Sequence, residues 1–81
     1  MFGLAVNPST DRIYVAIVRS NSIFVIDGST GVRLGNIQIF STPFGVAVNP
    51  VTHRIYVAVL GFDYVAVIDG TTNTIVNYMS Y

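Results

Sequence analysis

Four aspartates, four arginines, one histidine and five tyrosines supply the ionisable side chains of this 81-residue chain, which has no lysine, glutamate or cysteine. Acid–base hydrolysis needs two positioned groups that exchange a proton, and Asp11, Asp27, Asp63, Asp69 and His53 are the candidates. Asp27 and Asp69 each precede a glycine, a strong turn dipeptide, and each follows an Arg-x-Tyr triplet, Arg12 with Tyr14 and Arg54 with Tyr56, at the same spacing. If strands over residues 12–18 and 23–27 form a hairpin with a four-residue loop, Tyr14 falls opposite Asp27 and Arg12 lies diagonal to it. Diagonal neighbours are within reach of a long side chain. The sequence therefore predicts structural pairing of Arg12 with Asp27 and of Arg54 with Asp69, and assigns no catalytic residue.

A nucleophilic triad within one chain has only His53 to draw on, with Ser9, Ser29 or Thr52 as nucleophile. None of these sits in a nucleophile elbow, and loop hydroxyls beside Pro or Gly make turns. No phosphate-binding glycine loop, EF-hand or zinc spacing occurs, and Pro8 blocks Asn7-Pro8-Ser9 as a glycosylation acceptor. Neither a cofactor nor a metal site is expected.

The elements that must position these groups are written twice. Residues 2–31 read FGLAVNPSTDRIYVAIVRSNSIFVIDGSTG, and 42 positions later residues 44–73 read FGVAVNPVTHRIYVAVLGFDYVAVIDGTTN. A period of this size marks a modular array in which each unit buries its faces against neighbours. Each copy divides into four runs rich in β-branched and aromatic residues, with no helical period: a at residues 3–6 and 45–48, b at 12–18 and 54–60, c at 23–27 and 65–69, d at 32–39 and 74–81. Asn-Pro stops strand a and Asp-Gly closes strand c. In strand b, Ile13, Val15 and Ile17 point one way and Tyr14, Ala16 and Val18 the other, so both faces are apolar and the strand must be sandwiched. Gly3 and Ala5 keep strand a small, whereas Arg33, Asn36 and Gln38 make strand d polar. This gradient suits a radial blade with a crowded axis and a solvated rim.

The words GVAVNP, RIYVA and VIDG at this spacing resemble the YVTN family of β-propeller repeats, over nearly the whole chain and twice. The family's Tyr-Val-Thr-Asn core stands here as Tyr14-Val15-Ala16-Ile17 and Tyr56-Val57-Ala58-Val59. The resemblance implies an all-β propeller scaffold, commonly at the cell surface or otherwise extracytoplasmic, with about seven blades per chain and no catalytic residue. The expected organisation is residues 1–43 as a first four-stranded blade with its linker and residues 44–81 as a second.

Composition narrows the partners. Hydrophobic residues make up 52% of the chain and charged ones 10%, more apolar surface than so short a chain hides alone, while the formal charge is zero. No basic face is offered to a nucleic acid. The longest apolar runs, residues 13–18 and 55–60, fall far short of the roughly 20 residues of a membrane helix. The expected partner is a second copy of the chain: two blades leave one apolar face at each end, these unlike faces fit head to tail, and a closed ring follows, a trimer of six blades before a tetramer of eight. The alternatives are a two-blade piece of a longer surface-layer-type propeller and a cofactor or enzyme propeller domain.

His53 occupies the slot of Asp11 in the first copy, so around a ring the slot alternates Asp and His. The expectation there is a His–Asp hydrogen bond between blades or a solvated loop. The copies diverge most in the b–c loop, Arg19-Ser20-Asn21-Ser22 against Gly61-Phe62-Asp63-Tyr64, beside the linker flanked by Phe40 and Phe44. Loops on a rigid scaffold commonly carry recognition. Arg19, Asn21, Phe62, Asp63 and Tyr64 are accordingly the candidate ligand contacts, for a carbohydrate or a peptide.

Overall fold

The computed structural model describes residues 3–59 and 64–80. Every regular element among them is a strand. The first copy gives β1 (Leu4–Asn7), β2 (Arg12–Ile17), β3 (Ser22–Asp27) and β4 (Arg33–Gln38), and the second gives β5 (Pro43–Asn49), β6 (Arg54–Val59), β7 (Tyr64–Asp69) and β8 (Thr74–Ser80). Each set of four forms its own antiparallel sheet in sequence order. The two sheets are propeller blades, stacked face to face, with their backbones closest where β5 lies against β1 and β2.

Local chemistry explains the turns. Asn7 and Asn49 accept the N–H two residues on through Oδ1, at 3.0 Å in both copies, which bends the chain out of the strand ahead of the second hairpin arm. Asp11 (φ 58°) and His53 (φ 56°) then take left-handed backbone conformations to bring the chain back. That closed end is tied to the c–d turn, since the N–H of Gly28 donates to the Asp11 carbonyl and that of Gly70 to the His53 carbonyl, both at 2.7 Å. A bulge interrupts the third hairpin at Val25/Ile26 and again at Val67/Ile68, the same repeat position, where it adds twist.

The observed register corrects the expected one. Arg12 stands directly opposite Asp27, and Tyr14 opposite Val25, with Arg54 and Tyr56 likewise opposite Asp69 and Val67. The b–c loop of the first copy occupies residues 18–21, not 19–22, because Asn21 (φ 51°) accepts the left-handed position that ends the turn and Ser22 already pairs with Ile17. The slip is by two residues across the pair, so each side chain keeps its face. Pro43, expected in the linker, begins β5; it lies on an edge strand beside a register shift, where its missing N–H costs no ladder bond.

The core lies between the blades. Tyr14, Ala16, Ile23, Val25, Ile37 and Ile39 of the first blade meet Ile55, Val57, Val59, Ala66 and Ile68 of the second, with Val46, Val48 and Ile75 at its margin. These are the even face of β2 and the odd face of β6, so the seam brings together two different surfaces of the same repeat. Strands β4 and β8 are exposed along most of their length, as an outer rim requires.

Candidate functional site

The polar chemistry gathers at the edge of the seam where the Asn-Pro and Asp-Gly turns meet. Asn7 is buried, and its Oδ1 is taken by the Ser9 N–H, so its Nδ2 faces the other blade and donates to His53 Nδ1 at 2.9 Å. The imidazole must accept at Nδ1 and hold its proton on Nε2. His53 thus bonds across the blades, with Asn7 in place of the expected carboxylate; the two amide termini of Asn7 are satisfied by different elements, which no local spacing announces.

Arg12 also crosses the seam. Its Nη1 donates to the Gly70 carbonyl at 3.3 Å. Beside it Tyr14 is wholly buried, and desolvation pushes its phenol above the usual tyrosine range, the nearby Arg12 cation opposing this. Gly70 is required there: a Cβ would meet the His53 carbonyl oxygen at 2.7 Å and the Tyr14 hydroxyl at 3.2 Å.

The aspartates expected to pair with arginine are occupied locally. Asp27 Oδ1 accepts the N–H and hydroxyl of Ser29 at 2.9 and 2.7 Å, and Asp69 Oδ1 accepts those of Thr71 at 2.9 and 2.6 Å. These bonds favour the ionised form and hold both carboxyls below the ordinary aspartate range, with Arg54 and His53 adding a smaller pull on Asp69. Arg12 and Asp27 are cross-strand partners, but no ion pair joins them among the described residues, nor Arg54 and Asp69. Geometry is the reason. The Asx turn after β3 aims the carboxylate along its own chain.

At the opposite edge the b–c loop of the first blade is clamped. Gln38 Nε2 donates to the carbonyls of Ser20 and Asn21 at 2.9 and 3.1 Å, the Ile39 N–H donates to the Asn21 carbonyl at 2.7 Å, and the Thr42 hydroxyl reaches Asn21 Oδ1 at 3.4 Å. Arg19 is exposed on this loop. Phe62 and Asp63 lie outside the described residues. Tyr64 meets Phe40 edge to face at 6.3 Å, and Phe40 meets Tyr78 at 5.1 Å, so three partly exposed aromatics cap this end of the seam. Tyr78 was not singled out in the sequence; its place follows from standing opposite Ala66 on the seam face of the second blade. No ligand-sized pocket opens among the described residues, and none of their acidic or histidine side chains cluster as metal ligands.

The outward faces are the largest unpaired feature. On the first blade Leu4 (53% exposed) and Val6 (46%) stand beside the half-buried Ile13 and Ile17, with Arg33 stacked over the Phe24 ring at 4.6 Å. On the second blade Tyr56, Ala58 and Val65 are partly open. Every one of these positions has a twin in the other copy that faces the seam: Ile55 and Val59 for Ile13 and Ile17, Tyr14, Ala16 and Ile23 for Tyr56, Ala58 and Val65, all buried.

No protein-family model matches the sequence, and no curated protein matches it. Among solved structures, the chain is similar to a chain of the Kuenenia stuttgartiensis hydrazine synthase, with a TM-score of 0.90 and 26% sequence identity over 98% of this chain. The match spans 23% of that chain, so two blades superpose on a minor part of a much longer protein.

Proposed function

We propose that the chain is a self-assembling propeller scaffold, whose copies cover one another's outward faces head to tail and close into a ring. One observation carries this reading: both outward faces are apolar, yet each is built from the repeat positions that the internal seam buries. Soluble proteins rarely leave contiguous apolar patches of this kind uncovered. Contact between unlike faces is heterologous and closes when the blade-to-blade rotation divides a full turn, giving a trimer of six blades ahead of a tetramer of eight. The repeat words resembling YVTN propellers support the same architecture.

We read the ring as non-enzymatic, an interaction module. Its one histidine is bonded in the seam, and two of its four aspartates are held in turns. The aromatic edge of Phe40, Tyr64 and Tyr78 is the surface that would meet a carbohydrate or peptide. A second reading comes from the partial match to hydrazine synthase: adjacent blades of a longer polypeptide would cover the same two faces.

Sedimentation equilibrium tests the assembly. The expected mass is three or four times the 8.8 kDa of one chain at micromolar concentration. A mass of one or two chains would remove the ring and favour the longer-array reading.

A further inference from the structure

The repeat fixes more than which faces meet. In the internal seam the polar edge is made by Asn7 on His53 and by Arg12 on the Gly70 carbonyl. Their twins stand on the outward faces, Asn49 and Arg54 on the second blade and Asp11 and Gly28 on the first. Asn49 is exposed where Asn7 is buried, and Gly28 is exposed where Gly70 is buried. Asn49 keeps its turn bond, the Val51 N–H donating to its Oδ1, which leaves its Nδ2 as the outward donor, the same arrangement that aims Asn7 at His53. Arg54 makes no hydrogen bond among the described residues, although Arg12 does. Both seam donors are therefore presented again, in the same local geometry, at the edge of an uncovered face.

We propose that neighbouring copies meet in the register of the internal seam, so that Asn49 of one copy donates to the Asp11 carboxylate of the next and Arg54 donates to the Gly28 carbonyl of the next. This rests on the head-to-tail reading and specifies its contact. The replacement of imidazole by carboxylate makes the two kinds of seam chemically distinct: Asn to His within a chain, Asn to Asp between chains. Asp11 holds the same left-handed backbone as His53, and its carboxylate lies over Gly28, with Oδ1 2.7 Å from where a Cβ on that glycine would stand. A carboxylate so placed lies close to the approaching Arg54, where the internal seam has an imidazole. Charge complementarity therefore favours the outer register over a slide along the sheets.

The absence of cysteine makes crosslinking clean. The double variant Asn49→Cys/Asp11→Cys, treated with a short bismaleimide, should give a ladder of covalent multimers on denaturing gels. The control Asn49→Cys/Asn36→Cys, with its second thiol farther out on the same outward face, should stay at the mass of one chain. Sedimentation of the unmodified protein runs alongside. A single-chain mass defeats the assembly itself, and the contact with it. An assembled mass with a ladder from the control, or with none from the Asp11 pair, leaves the assembly standing and overturns this register.

Discussion

Asp27 and Asp69 do at residue level what the expected ion pairs would have done less well, because each carboxylate is satisfied by a backbone N–H and a hydroxyl only two residues away. Both carboxyls sit below their ordinary value in the folded chain. A lowered folded value contributes stability above the unfolded carboxylate range, about pH 4, and that contribution disappears as pH falls through the lowered value. Ser29→Ala and Thr71→Ala should therefore melt at lower temperature than the parent at pH 7, with the gap closing towards pH 2. Thermal melts at the two pH values check this, and a gap that stays constant would show that the hydroxyls act only as turn formers. Tyr14 has the opposite sign: its raised value means that stability is lost as pH climbs past the usual tyrosine value of about 10, when a phenolate would have to occupy the seam.

At the scale of the element, a b strand in this chain has two apolar sides, and its place in the first or second copy decides which is covered. Ala16 on β2 and Ala58 on β6 are twins, the first wholly buried in the internal seam and the second only partly covered. Ala16→Asp places an unpaired carboxylate inside the core, at a cost of several kcal/mol, and should unfold the chain. Ala58→Asp places the same group on the outward face. It should leave the β-sheet circular dichroism in place and reduce the sedimentation mass to that of one chain. If both variants fold and both assemble, the outward face of the second blade is not an interface.

For the whole molecule, the proposed assembly would couple to folding through the same apolar faces. Each blade gains its core only from a neighbour, so stability is a sum over seams; a chain of two blades owns one seam outright, and in the proposed assembly it would share others. Association that favours the folded form makes the melting temperature depend on protein concentration. The midpoint should rise with each tenfold increase in concentration above the dissociation range, measured by calorimetry, and the Ala58→Asp variant should show no such dependence. A concentration-independent midpoint in the parent would place all of its stability in the internal seam.

Much of this was legible from the residues. The doubled words, the Asn-Pro and Asp-Gly stops and the β-branched runs determine eight strands in two four-stranded sheets, because turn chemistry and side-chain alternation act over a few residues and need no distant partner. The two apolar sides of the b strands likewise called for a sandwiched blade, and the structure covers one side of each, the Tyr14 side of β2 and the Ile55 side of β6. What only the tertiary structure decided involves contacts between the copies. The four-residue loop could be cut at either end without moving a side chain to the wrong face, so the pairing of Arg12 with Asp27 followed from the left-handed turn at Asn21 and not from the hydrophobic pattern. Arg12 bonds a backbone carbonyl and His53 an asparagine amide, partners that carry no charge and leave no signature in spacing. Above all, Tyr14 and Tyr56 stand in the same sequence words, and only the stacking of one blade on the other makes the first a core residue and leaves the second partly open.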